Sequence, residues 1–465
     1  MTYCTAESLR FPPVAGLTIR GDFDGGLMST DIGPLLLREV DRQVGLTQRL
    51  GQAIEDRRHA SYVKHPLQDL LAQRMYQIAC GYEDANDADA LRHDPMFQLG
   101  LARDPLSETV ALASASTFSR LENSVSTKDI YRVAQAFVEG FIASYATAPA
   151  VIVLDLDHSE DRTHGEQELC VYNHHYRSHC YLPLFVFEGL SGQLITAVLR
   201  PGKRPTGAEN AAIVKRILKR LRQHWPETHM VLRGDSHFAN PELMQLKQAD
   251  PLLDFVFGVA GNRALTPLAE PALARARALH QLACINAART ANPAPVHTRL
   301  YEEIDYSAQS WPERFRVIVK AEVMSAGDNP RFVVTSLDLP TPESVYQQLY
   351  CARGQDENYI KHIKQDLGSD RTSNHRFQAN ALRLYFACGA YVLHHALRTQ
   401  TLRGTELAQA QPATVIGKLF KLAVRVIRYK NRIKLQLPSA CPTKALLKRV
   451  TEILYRLPKP AWNSG

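Results

Sequence analysis

The chain has 465 residues, 45% of them hydrophobic and 22% charged, which is ordinary for a globular protein of about two to four domains. Its formal net charge of +8 favours an anionic partner, with nucleic acid before a membrane surface. The amino terminus predicts no signal peptide, the longest apolar run, at 384–397, is too short to span a bilayer, and the eight cysteines form no Cys-x2-Cys pair. These features predict a soluble cytoplasmic protein with reduced thiols.

The first part of the chain, residues 1–147, predicts an α-helical domain. Residues 1–20 look irregular, and the two glycines at 25–26 predict a turn before the first helix. Apolar residues then recur at helical spacing within 35–44 and again within 67–78. No helix-turn-helix signature is evident, so DNA binding by this domain is a hypothesis.

Residues 148–262 change to alternating strands and helices and predict the first part of a catalytic core. Three strands come first, and helices then alternate with strands, which is the ribonuclease-H-like order. We therefore predict an α/β fold with a mixed five-stranded sheet flanked by helices. The fold would bring Asp157, at the end of the first strand, near Asp235, at the end of the fourth. The predicted strands are 151–157, 181–187, 194–199, 229–235 and 253–259, and a predicted helix covers 210–225.

An insertion is predicted at residues 263–328, between the strands of the core and its last catalytic helix. It comprises an Ala/Arg-rich helix near 268–290 and a hairpin that includes Trp311. The core resumes at 329–402 with a short buried strand and then the catalytic helix. Residues 403–465 form a basic C-terminal region.

The predicted catalytic helix carries an unusual set of polar residues. At 100° per residue, five of them fall within roughly a quarter turn of one face. A single carboxylate among phosphate-binding donors suits a site where a metal ligand meets a nucleic-acid backbone. The alternative is a solvated helix face with ion pairs at a spacing of four residues. The five residues are Tyr350, Arg353, Glu357, Lys361 and Lys364.

Clustered carboxylates indicate metal-dependent phosphodiester chemistry. Such chemistry needs a nucleophilic oxygen, a stabilised leaving oxygen and neutralisation of an anionic centre, which two divalent ions about 3.5–4 Å apart supply. Because clustered carboxylates repel one another, Asp157, Asp235 and Glu357 are easiest to bring together around cations. Hard oxygen ligands without Cys or His favour Mg²⁺ or Mn²⁺.

The spacing Tyr350-x2-Arg353-x3-Glu357-x6-Lys364 resembles in full the Tyr-Arg-Glu-Lys signature of a branch of the DDE transposases of bacterial insertion sequences. The likeness extends over nearly the whole chain. It implies a cut-and-paste transposase that binds terminal inverted repeats, cleaves beside them and inserts the element elsewhere. Four further stretches resemble a subgroup of this branch: 23–27, 82–94, 163–167 and 377–380.

The same resemblance implies that Asp157, Asp235 and Glu357 are catalytic and hold two Mg²⁺ or Mn²⁺ ions in each active site. Asp155 points to the same face of its strand as Asp157, so strand alternation leaves the choice between them open. Asp157 is favoured because Ser159 follows it two places on, where a small hydroxyl residue is common in the family pattern, and because the strand end lies nearer to solvent.

DNA contacts are implied as well. Related transposases stack a base flipped from a DNA hairpin on an aromatic residue of the insertion, which implies that role for Trp311. The alternative for Trp311 is an anchor in the core of the protein hairpin. Four residues of the catalytic helix would contact phosphates of the transposon end: Tyr350, Arg353, Lys361 and Lys364.

A second basic surface is predicted in the C-terminal region. Basic residues there recur at i, i+3, i+7, i+10 and i+14, which predicts a stripe along one helix that contacts the DNA backbone. The alternative is a solvated helix face. The stripe consists of Lys418, Lys421, Arg425, Arg428 and Arg432.

A cluster of soft ligands lies between the first two predicted strands. Its composition would suit zinc, but its spacing matches no standard zinc finger and it flanks a strand of the core. Packing and hydrogen bonding are therefore the favoured interpretation. The cluster consists of Cys170, His174, His175, His179 and Cys180.

We therefore expect a DDE transposase that acts on double-stranded DNA, at terminal inverted repeats and at target sites, as a homodimer on DNA. Neither a nucleotide cofactor nor a membrane partner is expected. The protein would be cytoplasmic in bacteria and associated with the nucleoid when bound to DNA. The alternatives are a non-catalytic, transposase-derived repressor that occupies inverted repeats and a structure-selective nuclease with the ribonuclease-H fold.

Overall fold

The computed structural model describes residues 8–105, 111–338 and 341–457. The chain forms two compact units, and each unit combines segments that are distant in sequence. None of the helices within the described ranges has both the length and the apolar character that crossing a bilayer requires. Unit 1 comprises Met1–Asp129, His362–Ser369 and Phe386–Gly465, and unit 2 comprises Ile130–Lys361 and Asp370–Tyr385.

The strands are β1 (Leu9–Val14), β2 (Leu17–Gly21), β3 (Met28–Asp31), β4 (Val151–His158), β5 (Asp161–Arg162), β6 (Val171–Asn173), β7 (Ser178–Tyr181), β8 (Leu184–Glu188), β9 (Gln193–Val198), β10 (His229–Gly234), β11 (Leu253–Val259), β12 (His297–Tyr306), β13 (Phe315–Met324), β14 (Gly327–Asp328), β15 (Arg331–Thr335), β16 (Lys421–Arg428) and β17 (Ile433–Gln436).

The α-helices are α1 (Gly33–Val44), α2 (Leu46–Ala53), α3 (Leu67–Ala79), α4 (Asp87–Ala90), α5 (Pro95–Gly100), α6 (Ala115–Ser124), α7 (Thr127–Ala143), α8 (Gly207–His224), α9 (Pro241–Met244), α10 (Leu246–Ala249), α11 (Glu270–Arg289), α12 (Gly354–Lys361), α13 (Phe377–Thr401), α14 (Pro412–Val415) and α15 (Lys444–Arg456). Short 3₁₀ segments lie at Ala60–Tyr62, Thr266–Ala269 and Cys351–Arg353, and π-helical segments lie at Ser344–Tyr350, His362–Asp366 and Ile416–Phe420.

Unit 2 is built around one mixed sheet with the strand order β12-β13-β15-β11-β10-β4-β8-β9, in which β14 also pairs with β13. The strands β4, β10 and β11 run parallel to one another, whereas β8, β9 and β15 run antiparallel to their neighbours. Nearly every residue of β4 and β11 is buried, as is typical of parallel strands that are covered on both faces.

The sheet has nine strands rather than the five predicted. Three of the four additional strands, β12, β13 and β14, lie in the predicted insertion, and the hairpin β12–β13 joins the sheet through the fourth, β15, at the edge of β11. Most residues of β13 are buried, so the hairpin has apolar surface that it covers by becoming part of the sheet.

Different helices cover the two faces of this sheet. Leu154 of β4 faces a large apolar cluster that also contains residues of α7, α8 and α11. Val153 faces the other way, into a smaller cluster with Val345 from the segment before α12. Because side chains alternate along a strand, Asp155 and Asp157 lie on the same face as Val153, beneath the segment that leads into α12.

Unit 1 contains most of the remaining helices and a small sheet of order β17-β16-β3. The strands β1 and β2 form an antiparallel hairpin, so the prediction of irregular structure at residues 1–20 is wrong for β1 and most of β2. Leu36 and Val40 of α1 and Leu70 and Met75 of α3 are buried, as their helical spacing predicted.

The strand β16 corrects the prediction of a basic helix across residues 418–432. Lys421–Arg428 is extended and pairs with β17 on one side and with β3 on the other. Val424 and Val426 are buried while Arg425 is exposed, which is the two-residue period of a strand. The basic residues fit a helical spacing as well, but the β-branched neighbours and the partner strand β3 decide the conformation.

Candidate active site

Asp157 and Asp235 lie at the ends of adjacent parallel strands. In the register of β4 and β10, Leu156 pairs with Gly234, so Asp157 and Asp235 follow at the next position of each strand. Both side chains keep some contact with solvent, with exposed fractions of 16% for Asp157 and 31% for Asp235. The strand ends therefore bring these two residues to one edge of the sheet, here named the carboxylate edge.

Asp155, the alternative first metal ligand, already forms an ion pair with Arg233 inside the sheet. Arg233 lies directly opposite Asp155 in the register of β4 and β10, and its Nε and Nη2 atoms donate to the two carboxylate oxygens. Both side chains are only 1% exposed. A buried carboxylate that is bound by two donors of one guanidinium is a structural anchor. Asp157, one pleat closer to solvent, is thus the better candidate for a reacting carboxylate.

Arg233 also connects the sheet with the segment that precedes α12. Its Nη1 donates to the carbonyl oxygen of Leu349 at 2.6 Å. Gly189 leaves space for this arrangement, because a Cβ there would collide with Asp155 and Arg233. Sequence reasoning missed this network, although a signal existed: the arginine two residues before Asp235 and the aspartate two residues before Asp157 face each other in a parallel register.

The predicted catalytic helix is composite rather than regular. A uniform spacing of 3.6 residues per turn therefore does not hold along its whole length. Tyr350 and Arg353 are half-buried, Glu357 and Lys361 are exposed, and Lys364 belongs to unit 1. The stretch consists of the π-helical Ser344–Tyr350, the 3₁₀ turn Cys351–Arg353, helix α12 and the π-helical His362–Asp366.

Arg353 lies between two of the predicted catalytic acids. Its Nη1 is 3.7 Å from Asp157 Oδ2, and its Nη2 is 3.5 Å from Glu357 Oε1. Burial raises the pKa of Asp157 to about 7, and Arg353 acts in the opposite direction. The negative charges of Asp235 and Glu357 contribute to the rise. Burial is thus the main cause of the raised pKa of Asp157, and Arg353 offsets part of the rise.

Tyr350 reaches across to the end of β11. A Cβ at Gly258 would collide with the Tyr350 hydroxyl, so the glycine provides the space that the phenol occupies. Burial raises the pKa of Tyr350, which Arg353 lowers and Asp235 raises further. The hydroxyl is therefore a neutral hydrogen-bond donor at physiological pH.

Asp356, which precedes Glu357, is buried beneath the site and was not predicted. Burial raises the pKa of Asp356, and the negative charge of Asp155 adds to the rise. Among the described residues, no conventional donor reaches either carboxyl oxygen of Asp356. Both observations agree with a protonated carboxyl that donates its hydrogen to Asp155.

The chemistry of the carboxylate edge fits a divalent cation. Across the described parts of the chain, no three metal-ligating side chains form a ready metal-binding group. The available donors are hard carboxylate oxygens, which Mg²⁺ and Mn²⁺ prefer. A divalent cation bound at this edge would favour the ionised form of Asp157, whose pKa is raised chiefly by burial.

Trp311 lies toward the opposite edge of the sheet. It belongs to the loop between β12 and β13, and its ring is 5.4 Å from that of Tyr306 and 6.1 Å from that of Phe315. Phe315 in turn lies 5.1 Å from Phe255, near the start of β11, whereas the carboxylates follow the ends of β4 and β10. The base-stacking role of Trp311 stays a prediction, and its packing is that of an anchor within the protein hairpin.

The basic residues predicted near the C terminus have different surroundings. The Nζ of Lys421 lies 2.9 Å from Asp31 Oδ1. Arg428 pairs with Asp104, with 3.0 Å between Nη2 and Oδ2. Two of the five residues are thus engaged by acids within unit 1. The other three are exposed: Lys418, Arg425 and Arg432.

Comparison with known proteins relates this chain to a family. A family model described as "Transposase DDE domain group 1" matches residues 11–459. A search of curated proteins finds no significant match. Among solved structures, a cryo-EM structure of the piggyBac transposase synaptic complex with hairpin DNA is similar at a TM-score of 0.42 and 12% sequence identity, covering 83% of this chain and 79% of the other. Because the family model spans nearly the whole chain, this protein belongs to group 1 of the DDE-domain transposases.

Proposed function

We propose that this transposase catalyses cut-and-paste transposition of a bacterial insertion sequence, through metal-dependent cleavage at terminal inverted repeats and strand transfer. The observation that carries the proposal is the meeting of Asp157 and Asp235 at adjacent strand ends, with Arg353 bridging from Asp157 to Glu357. A repressor without catalytic activity would have no use for neighbouring carboxylates at a partly buried site, where burial raises the pKa of Asp157 to about 7.

The proposal includes a ribonuclease-H-like core. The order β9-β8-β4-β10-β11, a three-stranded meander followed by two parallel strands, supports it. On this proposal β12–β15 extend the core outward. The domain boundaries predicted from the sequence, and the DNA-binding role of residues 1–147, belong to the same proposal.

Asp157, Asp235 and Glu357 would hold two Mg²⁺ or Mn²⁺ ions, in keeping with the general use of divalent metals by DDE transposases. Bound divalent ions supply Lewis acidity and charge neutralisation for in-line displacement at phosphorus. Arg353 and Tyr350 would bind the phosphate, one as a permanent cation and the other as a neutral donor. Arg233, which donates to the carbonyl oxygen of Leu349, would help to hold the segment that carries these side chains in place.

Both chemical steps would use the same carboxylate edge. Water first displaces the 3′ oxygen at the end of the element, and the freed 3′-hydroxyl then attacks the opposite strand or target DNA. Lys361 and Lys364 would bind neighbouring phosphates of the transposon end. The exposed basic residues of the C-terminal region, Lys418, Arg425 and Arg432, would add contacts to the DNA backbone.

A cleavage assay on DNA that carries the gene's own flanking inverted repeats tests this function. In Mg²⁺, the wild type should cut at the repeat boundary, and Glu357→Ala should cut at least about 100-fold more slowly while it still binds. Glu343→Ala is the matched control, because Glu343 is exposed immediately before the same composite helix and bonds only to Gln347 in the described structure.

The outcomes separate the three functional classes. Tight binding without cleavage by the wild type, in Mg²⁺ and in Mn²⁺, would show a repressor instead of a transposase. Cleavage without strand-transfer products would show a nuclease.

A further inference from the structure

The residue that follows Asp157 points away from the carboxylate edge. His158 is the last residue of β4, and because side chains alternate along a strand it lies on the face opposite to Asp157. Only 8% of His158 is exposed. Within the described residues, no hydrogen bond of standard geometry reaches either nitrogen of its ring. Packing is therefore the main constraint on the position of this ring.

Phe238 provides that packing. Its ring lies parallel to the His158 ring, with 5.0 Å between the centroids and 3° between the planes, which is an offset stack. Phe238 is fully buried in the large apolar cluster that contains Leu154 of β4. A Cβ at Gly234 would collide with the Phe238 ring, so the glycine that ends β10 provides the space for it. The stack therefore connects the end of β4 with the segment that follows β10.

Asp235 belongs to a short turn that Phe238 anchors in the core. Asp235 Oδ1 accepts the backbone N–H of His237 at 2.9 Å, and the Asp235 carbonyl oxygen accepts that of Phe238 at 3.2 Å. The carbonyl oxygen of Phe238 in turn accepts the backbone N–H of Asn240 at 2.8 Å. Hydrogen bonds of this kind fix an aspartate side chain relative to the backbone of its own turn. A displacement of Phe238 would therefore displace the carboxylate of Asp235.

We propose that His158 and Phe238 are positioning residues, whose stacked rings hold the turn with Asp235 against the end of β4 so that Asp235 and Asp157 can bind the same divalent ion. The inference rests on the proposed function, because it takes these two aspartates as metal ligands. Carboxylates repel each other, so the surrounding structure has to hold them together. Rings in a close-packed core can do so, because the core leaves them little free volume in which to move.

Binding of Mn²⁺ to the full-length, DNA-free protein tests this role without catalysis. Electron paramagnetic resonance of free Mn²⁺ gives the dissociation constant. His158→Ala and Phe238→Leu should weaken Mn²⁺ binding roughly ten- to hundredfold, as the loss of a group that supports a metal ligand does. His158→Phe should keep the wild-type affinity, because a ring remains to stack on Phe238.

A matched control separates positioning from a general loss of stability. Phe255, near the start of β11, is 1% exposed and belongs to the same apolar cluster as Phe238. Its ring is also stacked, on that of Phe257, with 5.2 Å between the centroids and 9° between the planes. Phe255→Leu should therefore lower the urea midpoint about as much as Phe238→Leu does, but leave the Mn²⁺ affinity unchanged.

Each outcome decides for or against the positioning role. Wild-type affinity in His158→Ala and Phe238→Leu, or an equal loss of affinity in Phe255→Leu, would overturn it. Wild-type protein that binds no Mn²⁺ would overturn it together with the metal role of the aspartates. Weaker Mn²⁺ binding by the two variants of a protein that never cleaves DNA would support positioning and overturn the catalytic proposal. Unchanged binding by the variants of a protein that does cleave would do the reverse, so the two failures are distinguishable.

Discussion

Two aspartates on β4 have the same side chain and face the same way, yet their surroundings give them different chemistry. Asp155 is enclosed with Arg233, and its charge is neutralised inside the protein. Asp157 lies one pleat further along, where burial raises its pKa and Arg353, at 3.7 Å, offsets part of the rise. The difference supports Asp157 as the carboxylate available to a metal ion and Asp155 as one that holds the strands in place.

Asp157→Asn is expected to stabilise the metal-free protein at alkaline pH. The pKa of Asp157 is about 7 in the folded state, against about 3.9 in the unfolded chain. Between these values the folded state holds a proton that the unfolded state has lost, so stability falls as pH rises through this window. At pH 8 the variant should gain on the order of 1–4 kcal/mol in free energy of unfolding.

Urea unfolding in EDTA at several pH values measures this gain, which should vanish near pH 4. The control is Asp155→Asn, which should lose stability at pH 8 because it leaves Arg233 without its ion-pair partner. A gain for Asp157→Asn of the same size at pH 4 and at pH 8 would contradict the titration of Asp157.

Gly189→Ala is expected to destabilise unit 2. The added methyl group would collide with the carboxylate of Asp155 and the guanidinium of Arg233. The cost should be about 1–3 kcal/mol in free energy of unfolding, as for overpacking of a core. Gly165→Ala is the matched control, because the nearest atom to its added Cβ, on Gln167, is 3.6 Å away. Similar urea midpoints for the two variants would argue against a tightly packed ion pair.

At the scale of elements, β16 and β17 form an antiparallel ribbon whose basic residues lie on two different faces. Val426 and Arg428 lie on one side, where Val426 is buried and Arg428 pairs with Asp104. Alternation and strand register put Arg425 and Lys434 on the other side, and both are exposed. This exposed side, rather than a helical stripe, is the part of the ribbon available to DNA phosphates.

Replacing both Arg425 and Lys434 by alanine should weaken DNA binding and reduce its salt dependence. Each lost phosphate contact should lower the slope of log affinity against log salt by about 0.9. Arg428→Ala should change the slope less, because Asp104 already neutralises that guanidinium. Fluorescence anisotropy titrations at several salt concentrations measure both effects. An equal change of slope for Arg428→Ala and for the double variant would contradict the prediction that the face with Arg425 and Lys434 makes the phosphate contacts.

Elements with local signals were predictable from the sequence. The strand β11 has the predicted bounds, and β15 is the short buried strand predicted at the start of residues 329–402. The strand β16 was not predictable, because its partner β3 comes from the opposite part of the chain. Intrinsic propensity and residue spacing are properties of one segment, whereas strand pairing depends on which other segment lies beside it in the fold.

The same distinction applies to the candidate site. The spacing of Tyr350, Arg353 and Glu357 is local and could be read directly. The pairing of Arg233 with Asp155 depends on the register of two strands that are far apart in sequence, which only the fold supplies. The π-helical segments that flank α12 also escaped prediction, because a wide turn leaves no distinctive spacing in the sequence.

At the scale of the whole molecule, cutting two ends and joining them requires two active sites, so we expect a dimer on paired DNA ends. Light scattering should give a complex with two copies of the 52.1 kDa chain when both ends are present. Wild type mixed with excess Glu357→Ala should lose coupled cleavage of the two ends faster than nicking of a single end. A monomer that cuts and joins both ends would contradict the dimer.

The interleaving of the two units has a consequence for the synthesis of the protein. The strand β3 leaves the ribosome early, but its partner β16 follows only after all of unit 2 has been translated. Unit 1 therefore cannot fold completely during most of translation. If translation is interrupted, the chain keeps an unpaired strand edge, which makes it prone to proteolysis or aggregation. The nascent chain therefore cannot bind DNA in any way that requires a completely folded unit 1 until translation has passed β16.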